Sequence, residues 1–323
     1  MNDRVIFMGT PALAVPALRR LAAAGYQLTV VTQPDRLAGR GSALTPPPIK
    51  LAALELGLPV RQPATLRDPA VVEELRALAP AAIVVFAYGE ILRHAVLDLP
   101  PHGCLNLHPS LLPRWRGPTP INAAILAGDH VTGVSIIRMD SGMDSGPLLA
   151  QEEAPILPDD TAATLGARLA EQGAALLTTT LGRHLRGATV AQPQPAAGVT
   201  VCRLLDKAAG QLDWQQPAAA LDRQVRAYDP WPGTFTHWGS RRLKVHAVGL
   251  LPGVPSAAAT DPPGTVRRLR DLDPTAEGAG RRLVVACGAG WLELARMQLE
   301  GKPVQTADAL LAGYPSLVGA VLS

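Results

Sequence analysis

The chain has 323 residues, enough for two domains, and 47% of them are hydrophobic, enough for sizeable cores although only 4% are aromatic. No run of about 18 apolar residues occurs, which excludes a transmembrane helix, and Pro11 and Pro16 break the apolar N-terminus, which argues against a signal peptide. The three cysteines are odd in number and far apart. They fit neither a disulfide framework nor a zinc site, and they predict a cytoplasmic protein.

The net charge of +3 is unevenly distributed. Residues 1–206 hold 17 basic and 17 acidic side chains, so the whole basic excess lies in residues 207–323. An excess this small is far from the dense basic stripe of a stand-alone nucleic-acid binder.

The first two hundred residues alternate strand-like and helix-like segments. Apolar runs predict strands at residues 5–8, 28–32, 82–86, 104–107 and 133–139. Helical periodicity predicts helices at residues 13–24, 48–56, 69–78, 120–126 and 162–185. This alternation is typical of the α/β class, a Rossmann-like doubly wound parallel sheet with helices on both faces. Ligands of such sheets bind beyond the carboxyl ends of the strands.

A different pattern follows this alternation. Residues 187–198 are polar and contain Pro193 and Pro195, and we predict a first domain at 1–189, a linker at 190–206 and a second domain at 207–323. In the second domain, Gly, Pro and Asp separate short apolar runs at 233–238, 243–248, 264–269, 282–287 and 291–298. Five such strands predict a small OB-like β-barrel.

One candidate nucleotide motif is rejected. Gly9-Thr10-Pro11 ends the first predicted strand, but the later glycines of G-x-G-x-x-G are missing. Pro11 also removes an N–H group that a phosphate would use. A dinucleotide site is therefore not expected.

The segment from Asn106 to Asp144 carries the candidate chemistry. Asn106 and His108 are two residues apart on a predicted strand, which points both side chains to one face. Asp144 lies between Gly142 and Gly146 in a turn, which suits a carboxylate delivered from a loop. Taken singly, each residue has a structural explanation, as a turn former or a core residue. Together they supply what acyl transfer needs: an oxyanion donor, a proton shuttle and a group that orients the shuttle.

This constellation resembles the formyltransferase family that uses 10-formyltetrahydrofolate. In that family the block Asn106-Leu107-His108-Pro109-Ser110-Leu111-Leu112-Pro113 and the later Asp144 form the active site. Further blocks resemble the branch of the family that acts on methionyl-tRNA. They are Phe7-Met8-Gly9-Thr10-Pro11, Thr32-Gln33-Pro34-Asp35-Arg36, Ala38-Gly39-Arg40-Gly41, Ala87-Tyr88-Gly89, Arg114-Trp115-Arg116-Gly117-Pro118 and Pro230-Trp231-Pro232-Gly233.

The resemblance implies transfer of the formyl group of 10-formyltetrahydrofolate to the amino group of methionine on initiator methionyl-tRNA, for translation initiation. Asn106 would donate to the oxyanion, His108 would move a proton to the folate leaving nitrogen, and Asp144 would hold the His108 tautomer and stabilise the protonated ring. Either His108 or a water bound to Asp144 first accepts the amine proton. No metal and no covalent nucleophile are required, and we expect a monomer.

The resemblance also assigns two binding segments. Backbone polar groups and an apolar wall for the flat pterin are expected at Ser110, Leu111, Leu112 and Pro113. The stretch 35–50 is too irregular for a helix or strand, and it resembles the loop with which the family engages the acceptor arm of tRNA. RNA contacts are expected there from Arg36, Arg40 and Lys50. Ser42 and Ala43 stand where the family often carries lysines.

Two alternatives stay open. The first is a folate-dependent formyltransferase or hydrolase that acts on a small molecule, such as an amino sugar nucleotide or glycinamide ribotide. It would keep Asn106, His108 and Asp144 but need no basic loop at 35–50. The second is an RNA-binding protein without catalysis that uses the barrel alone, and the intact triad argues against it.

Overall fold

The computed structural model describes residues 3–38, 43–251 and 261–323. The strands are β1 (Arg4–Gly9), β2 (Gln27–Val31), β3 (Arg36–Ala38), β4 (Ala43–Thr45), β5 (Val60–Arg61), β6 (Ala82–Phe86), β7 (Cys104–His108), β8 (Val131–Arg138), β9 (Leu148–Pro155), β10 (Thr234–Trp238), β11 (Arg241–Leu250), β12 (Val266–Arg268), β13 (Leu283–Ala286), β14 (Trp291–Leu299) and β15 (Gln305–Thr306). The helices are α1 (Val15–Ala23), α2 (Pro48–Glu55), α3 (Pro69–Ala77), α4 (His94–Leu97), α5 (Pro120–Ala127), α6 (Ala162–Leu185), α7 (Ala218–Ala227) and α8 (Ala307–Gly313). Within the described ranges, no helix is long and apolar enough to cross a membrane.

The chain divides into two compact units. The first comprises residues 1–120, 130–156 and 165–203, and the second comprises residues 121–129, 157–164 and 204–323. Two internal segments thus belong to the second unit, although both lie within the first domain that the sequence predicts. The predicted domain limits at 189 and 207 remain a proposal.

The first unit is built on a seven-stranded sheet in the order β5-β2-β1-β6-β7-β8-β9. Its strands are parallel from β5 to β7, which confirms the Rossmann-like class. Strands β8 and β9 run antiparallel to their neighbours, unlike the wholly parallel sheet that the alternation predicted. The short loop 139–147 accounts for the direction of β9, because a return within a few residues joins antiparallel strands. The connection from β7 to β8 contains α5 and is long enough for either direction.

Strand β7 lies in the middle of the sheet and is buried on both faces. Leu105 and Leu107 belong to the core covered by α1, α2 and α6, whereas Cys104 belongs to the opposite core, which contains α3 and α4. Burial of each leucine contributes about 1.5–3 kcal/mol. At Gly173 of α6, an added Cβ would lie 2.9 Å from the Leu107 side chain, so this glycine lets the helix approach β7 closely. By alternation, Asn106 and His108 face the α3–α4 side of the sheet.

The second unit is an antiparallel sheet in the order β10-β11-β14-β13-β12, with β15 paired to β14. Residues 319–323 join its edges: Gly319 and Ala320 bond to Val266 of β12, and Ser323 bonds to His237 of β10 in both directions. The five predicted strands are confirmed. Helices α7 and α8 were not predicted, and α7 places Leu221 and Val225 in the core of this unit.

The predicted irregularity of residues 35–50 is wrong at residues 36–38 and 43–45. Strands β3 and β4 form a hairpin in which Leu37 lies opposite Leu44, whereas α2, which begins at Pro48, confirms the helix predicted at 48–56. Runs of three residues are too short to show alternation in the sequence, and both leucines are exposed, so no buried face revealed the strands. Arg40 lies outside the described residues.

Candidate active site

Two of the candidate residues are fixed by strand pairing. Asn106 lies between Val85 of β6 and Ile137 of β8, and His108 lies opposite Ser135 of β8. Both side chains are almost fully enclosed, with 8% of Asn106 and 4% of His108 exposed. Buried polar groups of this kind need partners, because an unpaired one costs about 1–3 kcal/mol.

The partner comes from the loop between β8 and β9. Asp144 has a φ of 50°, in the left-handed region that aspartate tolerates better than most residues. The Asp140 carboxylate accepts hydrogen bonds from Gly142 N at 3.0 Å and Ser145 Oγ at 2.8 Å, which closes the loop on itself. At Gly146 an added Cβ would collide with the carbonyl oxygen of Arg138. The loop therefore has one shape, and that shape aims Asp144 at β7.

The three predicted residues meet at the Asp144 carboxylate. Its Oδ1 accepts a hydrogen bond from Asn106 Nδ2 at 3.2 Å, and its Oδ2 accepts one from the backbone N–H of Gly117 at 2.8 Å. The same Oδ2 lies 3.6 Å from His108 Nδ1. The Asp144 side chain is 17% exposed, so the cluster is largely enclosed and reaches solvent at this residue.

The tautomer of His108 is set by a group that the sequence did not reveal. His108 Nε2 lies 2.9 Å from the carbonyl oxygen of Trp115, and because a carbonyl only accepts, the neutral ring carries its proton on Nε2. The basic lone pair is then on Nδ1, which faces Asp144. Sequence reasoning gave the tautomer-holding role to Asp144.

Burial dominates the electrostatics of His108. It lowers the pKa of the ring from the usual 6.5, whereas the Asp144 charge and the Trp115 carbonyl act in the opposite direction. His108 is therefore neutral at pH 7, with a vacant Nδ1 beside a carboxylate. That arrangement suits a group that accepts a proton and is stabilised once it is charged.

The residues assigned to folate lie just beyond β7, and most of their polar groups are already bonded. Ser135 Oγ donates to Ser110 O at 2.6 Å and accepts from Leu112 N at 3.1 Å, and Gln151 Nε2 donates to Leu112 O at 2.8 Å. Ser110 Oγ donates to a backbone carbonyl and is fully buried. The side chains of Leu111 and Pro113 are only partly buried and offer the apolar wall. The folate contact stays a prediction.

The residues assigned to RNA have different surroundings. Arg36 is exposed, and its Nη2 donates to Gln33 Oε1 at 3.1 Å. Lys50 Nζ bonds to both carboxylate oxygens of Asp35, at 2.9 and 2.7 Å. Hydrogen bonds from Gln62 and Lys50 hold the pKa of Asp35 below its usual value, so this charge pair persists through the neutral range. An RNA role for either residue stays a prediction, and for Lys50 it would compete with Asp35.

Three groups that contact the cluster or its loops were not predicted from the sequence: the Trp115 carbonyl, the Gly117 N–H and the side chain of Gln194, which bonds to the backbone of Asp144. The first two lie in the Arg114-Trp115-Arg116-Gly117 block, which the sequence identifies only by its resemblance to the family. Backbone groups carry no residue-type signal, and Gln194 lies in the segment assigned as a linker. Among the described residues, no group of three or more His, Cys, Asp or Glu side chains could hold a metal ion.

Residues 3–181 match the family model "Formyl transferase", and residues 204–315 match "Formyl transferase, C-terminal domain". Methionyl-tRNA formyltransferases of Chloroflexus aggregans and Xylella fastidiosa are 49% and 48% identical to this chain, each over 96% of it and 97% of their own length. The methionyl-tRNA formyltransferase of Myxococcus xanthus is 44% identical over 97% of this chain and 96% of its own.

Two solved structures share the fold at low sequence identity. WlaRD, a sugar 3N-formyl transferase solved in the presence of dTDP and 5-N-formyl-THF, aligns with a TM-score of 0.67 at 15% identity, over 94% of this chain and 99% of its own. HypX from Aquifex aeolicus, in complex with tetrahydrofolic acid, aligns with a TM-score of 0.65 at 17% identity, over 98% of this chain and 48% of its own. These likenesses concern the fold alone.

Proposed function

The chain belongs to the formyl transferase family, and we propose that it transfers the formyl group of 10-formyltetrahydrofolate to the amino group of methionine on initiator methionyl-tRNA. One observation carries the proposal: Asn106 and His108 both lie against the carboxylate of Asp144. The near full-length similarity to methionyl-tRNA formyltransferases supports the choice of acceptor.

The chemistry follows from the hydrogen-bonding groups of the cluster. The methionyl amine attacks the formyl carbon and gives a tetrahedral species with a negative oxygen. Asn106 has two amide N–H groups, and one of them donates to Asp144. The other can donate to that oxygen, and a donor in this position accelerates the reaction roughly 10²–10³-fold. His108 Nδ1 is free to take a proton and pass it to the folate leaving nitrogen, worth about 10²–10⁴.

Asp144 stabilises the charged ring of His108. Its Oδ2 lies 3.6 Å from Nδ1 and is held in place by the Gly117 N–H. The amine proton goes first either to His108 Nδ1 or to a water on the exposed side of Asp144. Both routes end with the proton on the leaving nitrogen and the formyl group on the methionine amine.

The formyl donor would lie beyond the carboxyl end of β7, where ligands of such sheets bind. Leu111 and Pro113 offer partly buried apolar surface for the pterin, and Ser110 and Leu112 hold the turn that presents it. A folate-derived donor needs no further group, since Asn106 supplies oxyanion stabilisation and His108 supplies proton transfer.

Initiator tRNA would contact basic side chains of both units. In the first unit these are Arg36, Arg40 and Lys50. In the second, Arg242 and Lys244 occupy alternate positions of β11, which puts them on one face of the sheet, and exposed His246 follows at an irregularity in the pairing of β11 with β14. Arg242 stacks over the Phe235 ring at 3.6 Å. A planar cation beside exposed basic groups suits phosphate contacts along an RNA backbone. A monomer acting in the cytoplasm completes the proposal.

The test is a comparison of acceptors. The full chain would be given labelled 10-formyltetrahydrofolate with initiator methionyl-tRNA, with an amino sugar nucleotide or with glycinamide ribotide. Transfer to the tRNA at a kcat/KM far above that for either small molecule is expected. A preference for a small amine would overturn the tRNA assignment while leaving formyl transfer intact.

A further inference from the structure

The side chain of Gln194 bridges two loops of the candidate active site. Its Nε2 donates to the carbonyl oxygens of Asp144 and Gly146, at 2.7 and 2.8 Å. Its Oε1 accepts from Nε and Nη2 of Arg116, at 3.1 and 2.7 Å. A carboxamide has two N–H groups and two acceptor lone pairs, so every hydrogen-bonding position of this side chain is occupied.

The backbone around Gln194 is held as firmly as its side chain. Pro193 and Pro195 flank it, and a residue before proline is restricted to extended conformations. Two residues earlier, Gln192 exchanges backbone hydrogen bonds with Leu148 at 2.7 and 2.9 Å. On the far side, Thr200 Oγ1 accepts from Trp115 N at 2.8 Å and Thr200 O accepts from Arg116 N at 2.9 Å. Residues 192–200 are therefore part of the first unit and not a loose spacer.

Each of the two bridged loops contains a backbone conformation that is unfavourable for residues other than glycine. Asp144 and Trp115 have φ values of 50° and 59°, in the left-handed region that residues other than glycine seldom adopt. Each also supplies a group that acts on His108: the Asp144 carboxylate lies beside Nδ1, and the Trp115 carbonyl accepts from Nε2. The distance between the loops therefore sets how His108 is held on its two sides.

We propose that Gln194 is a positioning residue for formyl transfer, which clamps the loop of Asp144 to the loop of Trp115, Arg116 and Gly117 so that the carboxylate keeps its place beside His108. The proposal rests on the proposed function of the cluster. Gln194 acts through Asp144 and contacts no reacting atom. Its carboxamide is needed because it donates to carbonyl oxygens on one side and accepts from a guanidinium on the other.

The test uses Gln194→Met, which keeps the length and neutrality of the side chain and removes all four hydrogen bonds. A displacement of about 1 Å in a catalytic group costs roughly 10²-fold in rate, so we expect kcat to fall by about that factor with little change in KM for the formyl donor. Gln192→Met is the matched control, because Gln192 lies in the same exposed segment and bonds to Leu148 through its backbone. It should behave as the wild type.

A pH profile distinguishes this positioning role from a purely structural one, because a loss of stability alone would not shift the acid limb of kcat/KM. Asp144 is the charged side chain that acts on the His108 ring, and the Arg116 guanidinium is turned toward Gln194. If the carboxylate drifts from Nδ1, the acid limb of kcat/KM should shift to lower pH. The Gln194→Glu variant keeps an acceptor for Arg116 but loses both donors, so it should lose turnover as well.

A double-mutant cycle separates this proposal from the proposed function. Asp144→Asn alone should lower kcat by about 10³-fold, and adding Gln194→Met should cause little further loss, because one residue acts through the other. Wild-type kcat in Gln194→Met or Gln194→Glu, an equal loss in Gln192→Met, or independent losses in the double variant would each overturn the clamp. Full turnover in Asp144→Asn would instead overturn the catalytic cluster itself.

Discussion

Replacing Asp144 with asparagine removes the negative charge at the centre of the cluster and leaves the shape of the side chain almost unchanged. The carboxylate lies 3.6 Å from His108 Nδ1. At an effective dielectric constant near 20, that distance corresponds to about 4–5 kcal/mol of attraction for a protonated ring, an upper value because Asp144 is partly exposed. The amide also meets a donor in either orientation, since Asn106 Nδ2 faces one oxygen and Gly117 N the other.

At 1.36 kcal/mol per factor of ten, we expect kcat to fall by about 10³-fold. Steady-state formylation of initiator methionyl-tRNA measures the loss, with circular dichroism and a melting curve to establish that the variant is folded. Asp140→Asn is the matched control, because it makes the same change in the same loop while Oδ1 keeps its two hydrogen bonds. A folded Asp144→Asn enzyme within tenfold of the wild type would refute the role of the carboxylate.

Three further outcomes are expected. The kcat/KM of the wild type should fall as pH drops through the pKa of His108, which burial holds below 6.5, and a pH profile with its acid limb above 6.5 would contradict a buried neutral base. Lys244→Ala should raise KM for tRNA and reduce the salt slope by about 1 without changing KM for folate, unlike Lys302→Ala, the same charge change elsewhere in the unit. Gly146→Ala should lower stability by about 1–3 kcal/mol in denaturant titration, together with turnover, because Arg138 O leaves no room for a methyl group.

The sequence predicted what depends on residue type and period. Long apolar or periodic runs, such as those of α6 and β6, were predicted within a residue or two, because burial on a sheet or along a helix face selects the residues directly. Asn106, His108 and Asp144 could be proposed because their side-chain types suit acyl transfer and because they lie on or just beyond predicted strands. The five strands of the second unit could be found because turn residues separate them.

What the sequence did not reveal depends on contacts distant along the chain. The directions of β8 and β9 follow from the pairing of β8 with β7 and of β9 with β8, and alternation alone does not distinguish a parallel from an antiparallel return. The tautomer of His108 depends on a backbone carbonyl, a group that every residue has. Gln194 resembles an ordinary linker residue until the fold brings its three bonding partners, Arg116, Asp144 and Gly146, beside it.

The most direct test of the catalytic cluster is a single-turnover experiment with labelled 10-formyltetrahydrofolate and initiator methionyl-tRNA, in which the full chain is compared with its His108→Ala variant. The wild type should form formylated methionyl-tRNA rapidly. The variant, folded by circular dichroism and still able to bind folate, should react about 10²–10⁴-fold more slowly because proton transfer is lost. Equal single-turnover rates, or no transfer by the wild type, would contradict the central claim that this cluster moves a formyl group to an amine.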